Sequence, residues 1–440
     1  MSRSLFLSLL VYALLLAGIA TVQGEFIALA LPIVAYLLVG YLQAPEQIKL
    51  EATRQISIER ASPNQYVDVT VTLTNRGSSL EEILLEDMVP PELTVRTDLS
   101  SDTSSRGTFA GTSRHMLRLA KGASYTFVYT VSGPRGGYDF EALELKVYDH
   151  LAISSSKVRV AAKGRLFVLP LVMRVRNVAI RPRRTRVYAG TIPARAGGSG
   201  TEFFGVREYQ PGDSPHSINW RVSARHGDTL YANEYQQERV ADVGIVLDGR
   251  LRTNEFAQGH SLFEYSVQAA ASLADALLSQ GNRVGLLLYA SYLGWTFPGY
   301  GKIQREKILH ALANAKTGSS QVFSDLEHMP TRLFPSESQI IFVSPLIDDD
   351  LKPLIQLRAE GYSVLVVSPN PVRFELSYLP SSNATVELAG RVIHLERVLL
   401  LQKLQRAGIQ ILDWDVAEPF DLLVKRRLGH SPMWLRAIAR

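Results

Sequence analysis

The densest mixture of charged and aromatic side chains in the chain lies in residues 200–225. An arginine guanidinium can bind a carboxylate through two parallel hydrogen bonds, so Arg207, Asp213 and Arg225 are candidates for bidentate ion pairs. Such pairs hold charges in a fixed geometry, which suits recognition or structural locking better than bond cleavage.

Aromatic residues accompany these charges. Phe203, Tyr209 and Trp220 supply apolar area and are expected to be buried. The tripeptide 211–213, Pro-Gly-Asp, is typical of a turn. The segment therefore suits either a clasp that locks neighbouring domains together or a surface that binds a ligand or a protein partner.

The motifs of common catalytic and cofactor sites are missing from the sequence. It contains no Gly-x-x-x-x-Gly-Lys-[Ser/Thr] loop, no His-Glu-x-x-His and no Gly-x-Ser-x-Gly. The chain has no cysteine, which excludes disulfides and cysteine nucleophiles. The nine histidines are scattered, and His216 and His226 are expected to be surface or packing residues. We therefore expect no enzymatic activity and no cofactor.

Two apolar runs without charged residues open the chain, at residues 5–20 and 26–42, separated by the turn Thr-Val-Gln-Gly-Glu. About 20 apolar residues span a bilayer, and each run reaches that length with its polar flanks. A chain in lipid must satisfy its own backbone hydrogen bonds. The runs therefore predict a transmembrane helical hairpin over residues 1–45, whereas a cleaved signal peptide would account for the first run alone.

Flanking charges predict the orientation of this hairpin. Arg3 precedes it and Lys49 and Arg54 follow it, whereas the turn carries only Glu25. Positive flanks favour the cytoplasmic side. We therefore expect a multi-pass protein of the cell membrane whose soluble domains face the cytoplasm.

A basic excess fits this placement. The net charge is +5, and six arginines fall within residues 174–186. Close to a membrane anchor, such a cluster favours anionic lipid headgroups or an acidic partner over nucleic acid. We expect no nucleic-acid binding.

Residues 46–170 alternate apolar and polar side chains, most clearly at 66–74, 125–131 and 143–148. This period of two is typical of half-buried strands, and turn residues separate the runs. The pattern predicts an antiparallel β-sandwich domain. The serine-rich residues 99–111 are expected to form a mobile loop.

The pattern changes after about residue 240. Continuous apolar runs, typical of strands buried on both faces, occur at 243–247, 284–289, 340–343, 364–367 and 409–412. Helices are predicted between them: one from a capping box at Ser261 and Glu264 to Gly281, and others at 302–316, 351–360 and 395–407. Alternating strands and helices predict a doubly wound α/β domain over 241–440. Residues 171–240, neither clean strand nor clean helix, are interpreted as a linking segment.

The segment 200–225 resembles the hallmark of the domain-of-unknown-function fifty-eight family. That hallmark contains a Gly, Glu-Phe, Arg-Glu-Tyr, Pro-Gly-Asp and Ile-x-Trp-x-x-x-Ala-Arg. The matching residues here are Gly200, Glu202, Phe203, Arg207, Glu208, Tyr209, Pro211, Gly212, Asp213, Ile218, Trp220, Ala224 and Arg225. The resemblance extends to the hairpin, the β-rich region and the closing residues 412–415, Leu-Asp-Trp-Asp.

The resemblance implies that the α/β domain is similar to a von Willebrand factor A domain. Such domains often bind a divalent cation through Asp-x-Ser-x-Ser, a loop threonine and a later aspartate. Here Asp248 is retained, but Arg250 and Arg252 fill the serine positions, and a guanidinium offers no acceptor to a cation. Asp248 is thus the one candidate metal ligand of a degenerate site.

The other cation positions are also altered. Ser344 stands where the later aspartate is expected, and Thr317 or Ser319 marks the loop position. Residues 348–350, Asp-Asp-Asp, are expected to form a solvated turn. We expect Asp248 instead to pair with Arg250, Arg252 or the hallmark segment.

The resemblance also implies a partner, because this family accompanies MoxR-type AAA+ ATPases. We therefore expect a membrane-anchored protein–protein interaction scaffold that works with such an ATPase in the assembly or remodelling of protein complexes. Two alternatives remain open. One is a metal-dependent hydrolase, and the other is a structural envelope or adhesion protein with its soluble part outside the cell.

Overall fold

The computed structural model describes residues 3–42, 48–96, 113–148, 155–175, 178–180, 185–320, 323, 325–379 and 384–428. The predicted loop at 99–111 lies outside these residues. The chain divides into two compact units, Met1–Leu169 and Pro170–Arg440. Each unit is built around its own sheets.

The first unit begins with a helical hairpin of α1 (Arg3–Thr21) and α2 (Gly24–Leu42). Val22, in the connection, has a left-handed φ of 53°. The helices approach closely at Gly18, where an added Cβ would lie 2.9 Å from Cγ1 of Ile27. The predicted helical hairpin is therefore present.

Large apolar side chains are exposed along both helices of the hairpin. They include Leu5, Phe6, Leu9, Tyr12, Leu16, Ile19, Leu29, Leu31 and Leu38. Among the residues that the structure describes, no helix combines the length and the apolar character needed to cross a membrane.

Among the described residues of the first unit, nine strands follow. They are β1 (Leu50–Ile56), β2 (Arg60–Ala61), β3 (Val67–Asn75), β4 (Leu80–Asp87), β5 (Thr94–Arg96), β6 (Arg114–Leu119), β7 (Ser124–Ser132), β8 (Gly136–Tyr148) and β9 (Ser155–Val168). One sheet has the order β1-β3-β7-β5 and the other β2-β9-β8-β4-β6. Apart from the short parallel pair β2–β9, neighbouring strands run antiparallel.

The inward side chains of both sheets share one core, to which Val69, Phe127, Leu85 and Phe140 belong. The three clearest alternating runs of the sequence became β3, β7 and β8. These observations confirm the predicted sandwich, because alternation places every second side chain in the core.

The described part of the second unit contains nine more strands: β10 (Thr185–Glu208), β11 (Tyr231–Asp248), β12 (Phe256–Ala257), β13 (His260–Ser261), β14 (Arg283–Tyr289), β15 (Leu293–Gly299), β16 (Gln339–Val343), β17 (Ser363–Pro369) and β18 (Gln410–Trp414). Its helices are α3 (Trp220–Ser223), α4 (Leu262–Ser279), α5 (Gly301–Ala313), α6 (Leu351–Ala359), α7 (Pro371–Tyr378), α8 (Ala384–Arg406) and α9 (Phe420–Leu428). The predicted strands and helices are therefore present, although α8 begins eleven residues before the predicted 395.

The main sheet of this unit has the order β15-β14-β11-β16-β17-β18. The strands from β14 to β18 in that order are parallel, and β15 is an antiparallel edge strand. Numbered along the chain, the order is 3-2-1-4-5-6, which is that of a doubly wound sheet. The order reverses between β11 and β16, so the carboxyl ends of these strands border the crevice where such folds bind ligands.

Within the predicted linking segment 171–240, residues 185–208 and 231–240 form regular strands that the sequence did not indicate. β10 pairs with β11 from Thr185↔Ala241 to Glu208↔Tyr231, which makes a long antiparallel ribbon. Several register shifts interrupt this pairing. A shift by an odd number of residues moves the following side chains to the other face, so the sequence of the ribbon lacks the alternation that marks a regular strand.

Candidate functional site

Two clusters of predicted site residues lie at opposite ends of β11. The hallmark residues surround the start of the strand at Tyr231, and Asp248 is its last residue. A strand rises about 3.3 Å per residue, so these ends are up to roughly 55 Å apart. The structure therefore does not bring the hallmark and Asp248 together.

At the first end, residues 203–231 form what we call the hallmark tip, where the β10–β11 ribbon ends. Arg207 and Asp213 form the bidentate pair that the sequence predicts. Nη1 and Nη2 of Arg207 donate to Oδ2 and Oδ1 of Asp213 at 2.7 and 2.6 Å. Nε of Arg207 also lies 3.7 Å from the carboxylate of Glu234, so this guanidinium joins the turn to β11.

The turn closes around Asp213. The Tyr209 hydroxyl donates to the Asp213 carbonyl at 2.9 Å, and the Gln210 amide donates to the Asp213 carboxylate at 2.9 Å. Gly212 has φ +110°, which a residue with a side chain rarely adopts. The Arg207 side chain and the Gln210 amide lower the pKa of Asp213 to about 2, so the carboxylate stays charged at neutral pH.

The second half of the tip is held by Asn219 and Ser223. The Asn219 side chain caps α3 by accepting from the Val222 amide at 3.1 Å, and it donates to Asn233 at 2.7 Å. The Ser223 hydroxyl accepts from the Tyr231 amide at 2.9 Å. These bonds fix the backbone that carries Trp220.

The aromatic side chains of the tip correct the expectation of burial. Phe203 is 60% and Trp220 68% exposed, whereas Tyr209 is half-buried. Glu208 and Arg225 are exposed, and the Arg225 side chain has no ion pair with any residue that the structure describes. Gly200 and Glu202 lie in β10, and their side-chain environments are outside the described part.

At the other end of β11, Asp248 pairs with Arg250, one of the partners that the sequence predicts. Nε and Nη2 of Arg250 donate to Oδ1 and Oδ2 of Asp248 at 2.9 and 2.7 Å. The Arg250 amide adds a bond of 3.0 Å, and the Ser344 hydroxyl donates at 2.7 Å. Asp248 therefore accepts four hydrogen bonds, which use the capacity of a carboxylate.

Asp350 binds the same guanidinium. Asp348 and Asp349 are exposed, as predicted for a solvated turn, but Asp350 is buried and corrects that prediction. It lies in the 3₁₀ turn Asp348–Asp350 that precedes α6, is buried, and accepts from Nη2 of Arg250 at 2.9 Å. Burial raises the pKa of Asp350, against the lowering effect of Arg250. For Arg250, burial lowers the pKa, but the two aspartates outweigh it and the net effect is a raised pKa.

The turn after β16 completes this buried cluster. Leu346 has φ +67°, a strained conformation for a branched residue, and its amide donates to Ser344 at 3.1 Å. The buried Arg397 of α8 donates to the Pro345 carbonyl at 2.7 Å and to Asp413, at the end of β18, also at 2.7 Å. A second arginine therefore holds the strained turn in place.

An outer pair lies beside the buried one. Arg252, which is partly exposed, donates to Asp325 at 2.6 Å and to Asp349 at 3.1 Å. The loop with Thr317 and Ser319, the candidates for the loop position of the cation site, also reaches this edge. There the Gly318 amide donates to the Gly249 carbonyl at 2.9 Å.

The chemistry of this edge is ion pairing. Within the described ranges, no group of three or more histidine, aspartate or glutamate side chains is arranged to hold a metal ion. A cation at Asp248 would have to displace Arg250 from a carboxylate that is already fully hydrogen-bonded. Of the arginines at 174–186, the side chain of Arg174 is the one described, and it is exposed.

Part of the chain matches a known family. Residues 205–374 match the family described as "Protein of unknown function DUF58". The DUF58 region contains Arg207 to Arg225 and Asp248, but begins after Gly200, Glu202 and Phe203. Over this region the resemblance inferred from the sequence is confirmed.

A relative supports this match. The "Uncharacterized protein YeaD" of Bacillus subtilis is 25% identical over 288 residues, which cover 63% of this chain and 67% of YeaD. Among solved structures, a CARDB domain from Pyrococcus furiosus is similar at 10% identity and a TM-score of 0.18, over 28% of this chain and 94% of that one. A cohesin from Archaeoglobus fulgidus is similar at 19% identity and a TM-score of 0.17, over 27% and 91%. These structural scores are too low to carry an argument.

Proposed function

We propose that this chain is a membrane-anchored docking protein whose hallmark tip binds a protein partner. The observation that carries the proposal is the exposure of Phe203 and Trp220 on a turn that is otherwise closed by hydrogen bonds. Exposed apolar surface on an ordered element often marks a protein-interaction site.

The physics of interfaces supports this interpretation. Tryptophan and arginine are enriched among the residues that dominate binding energy. A surface that is already ordered loses little conformational entropy when it binds. The Arg207–Asp213 pair and the Asn219 cap supply that order, so their proposed role is to hold the tip in a fixed conformation rather than to contact the partner.

The proposed partner follows from the resemblance to the DUF58 family, which implies a MoxR-type AAA+ ATPase. We also propose that the α/β part is a von Willebrand factor A-like domain. Its support is the 3-2-1-4-5-6 strand order with the antiparallel edge strand β15. In this proposal the carboxyl edge is locked by Arg250, and the hallmark tip provides recognition.

The proposed anchor is the helical hairpin. Its support is the two uncharged apolar runs together with the exposed leucines of α1 and α2. Contact of so many apolar side chains with water would be unfavourable, whereas contact with lipid would not. The positive flanks Arg3 and Lys49 favour a cytoplasmic location of the soluble units, whereas the side chain of Arg54, the third flanking charge predicted from the sequence, is buried in β1 and paired with Asp87. Protease treatment of intact cells tests this, because a cytoplasmic body is protected until the cells are opened, whereas cleavage in intact cells would contradict the orientation.

Binding to the ATPase can be measured with the full-length chain in lipid nanodiscs and a purified MoxR-type ATPase. We expect Trp220→Ala to weaken binding by about tenfold or more, because truncation of a central interface aromatic costs roughly 2 kcal/mol. Phe203→Ala should act in the same direction.

Phe297→Ala is the matched control, because Phe297 is also an exposed aromatic but lies on the edge strand β15, away from the tip. It should bind as the wild type does, and all three variants should melt as the wild type does. Wild-type affinity in both tip variants would contradict the proposal.

A further inference from the structure

Helix α8 is apolar on two opposite faces. One face lies in the core of the second unit through Leu400, Leu401 and Leu404. The opposite face carries an outer seam, which we define as Leu388, Val392, Leu395 and Leu399, and these side chains are 62%, 49%, 63% and 57% exposed. A helix that is apolar on both faces is typically covered on both.

The spacing of the outer seam is four, three and four residues. This is the spacing of the a and d positions of a coiled coil, with Val392 and Leu399 at a, and Leu388 and Leu395 at d. Polar residues, Gln402 and Arg406, occupy the continuation of the seam. The seam therefore covers residues 388–399, about 16 Å of helix at 1.5 Å per residue.

Charges beside the seam indicate what covers it. Arg391 takes position g and Glu396 the following position e, and both side chains are exposed. In a parallel two-stranded coil, position g of one helix faces position e of the next heptad in the other helix. Two copies of α8 in parallel register would therefore pair Arg391 with Glu396 twice, once on each side of the seam.

We propose that the outer seam of α8 is a homodimer interface in which two copies of this chain pair their α8 helices in parallel. The self-complementary charges select a second copy rather than an unrelated helix, as a two-fold interface requires. Valine at an a position with leucine at d positions also favours two strands. The contact is short, so association should depend on protein concentration.

The lack of cysteine in the chain gives a direct test. In full-length protein kept in detergent micelles, Leu388→Cys should form a disulfide-linked dimer on mild oxidation, because equivalent d positions of a parallel coil lie within disulfide reach. Glu387→Cys is the matched control, since this neighbouring residue is also exposed but points about 100° away from the seam. It should cross-link far less.

Charge exchange tests the register. Arg391→Glu in the Leu388→Cys background places like charges opposite each other twice, and we expect roughly fivefold weaker association. Adding Glu396→Arg should restore cross-linking, because the pairs are then re-formed with reversed sign. Leu395→Lys should shift the sedimentation of the chain from dimer to monomer without changing its melting, since the seam lies opposite the buried face.

Three results would overturn the proposal. One is equal cross-linking of Leu388→Cys and Glu387→Cys. Another is cross-linking of Leu388→Cys with Leu399→Cys in a mixture while Leu388→Cys alone stays monomeric, which would indicate an antiparallel pair. The third is a wild type that stays monomeric at every concentration. Cross-linking of Leu388→Cys to a different protein in native membranes would then show that another protein covers the seam.

Discussion

Each end of β11 holds an arginine–aspartate pair, but the two pairs have opposite surroundings. At the hallmark tip the side chains of Arg207 and Asp213 are 38% and 19% exposed. At the carboxyl edge those of Arg250 and Asp248 are 3% and 0% exposed. Both pairs are bidentate, but Arg207 uses Nη1 and Nη2, whereas Arg250 uses Nε and Nη2 and also binds Asp350. Burial is the larger difference between them.

This difference separates two uses of one interaction. A buried pair is costly to break, because removal of one partner leaves an uncompensated charge in the interior. An exposed pair contributes little to global stability, since water solvates either partner. We infer that the carboxyl edge is locked for folding, whereas the pair at the tip sets the orientation of the residues around it.

The largest expected effect is the loss of the buried guanidinium. Arg250→Ala should lower the free energy of unfolding by about 3–5 kcal/mol, because Asp248 and Asp350 then face each other without a counter-charge. Denaturant unfolding of the full-length chain in micelles, followed by tryptophan fluorescence, measures this change.

Arg252→Ala is the control for Arg250→Ala. Arg252 also binds two aspartates, Asp325 and Asp349, but it is partly exposed. Its removal should cost no more than about 1 kcal/mol. Equal losses in the two variants would show that burial does not distinguish the inner pair from the outer one.

The contrast also shows what the sequence could predict. The strand ending at Asp248 was predictable because five consecutive apolar residues, 243–247, are typical of a strand buried on both faces. The pairing of Asp248 with Arg250 was predictable because the two residues are near neighbours. The role of Asp350 was not, because it is 100 residues from Arg250 and approaches it only when β16 pairs with β11.

The tip was less predictable than the edge. Its residues were found as a motif, and the Arg207–Asp213 pair followed from residue type. The direction of Phe203 and Trp220 did not, because an aromatic side chain suggests burial on average. For Phe203, the register shifts of the β10–β11 ribbon decide the face it occupies, and no local pattern encodes them. Trp220 lies outside the ribbon, in α3.

The next largest effect concerns the second aspartate of the buried pair. Asp350→Asn removes a charge but keeps the size, and we expect a loss of about 1–3 kcal/mol at neutral pH. Burial raises the pKa of Asp350 in the folded state above its value of 3.8 when exposed. The folded wild type therefore takes up this proton before the unfolded chain does as the pH falls from 7 towards 4.

The sign of this effect gives a check. Because the pKa of Asp350 is raised in the folded state, its contribution to the free energy of unfolding is fully present below pH about 4 and decreases as the pH rises. The stability advantage of the wild type over Asp350→Asn should thus be larger at pH 4 than at pH 7. A difference that shrinks on acidification would contradict the burial argument.

A smaller effect on stability is expected at the tip. Arg207→Lys keeps the charge but cannot form the two parallel bonds to Asp213. The variant should melt close to the wild type, yet bind the partner more weakly, because the turn between Arg207 and Asp213 loses its fixed geometry. A nanodisc binding assay beside a melting curve separates these results, and Arg114→Lys, at an exposed ion pair of the sandwich, is the control that should change neither. A large loss of stability in Arg207→Lys would instead assign the tip a structural role.

The smallest effect is the response of the tip to acid, and it should run opposite to that of Asp350. Arg207 and the Gln210 amide hold the pKa of Asp213 at about 2, below its usual 3.8. The contribution of this pair is therefore present above pH about 4 and is lost as the pH falls towards 2. Melting curves of the wild type and Asp213→Asn measure this contribution. The difference between their melting temperatures should be constant from pH 7 to pH 4 and should then disappear at lower pH. A difference that grows below pH 4 would mean that Asp213 behaves like the buried Asp350, and that the two ends of β11 are not electrostatically distinct.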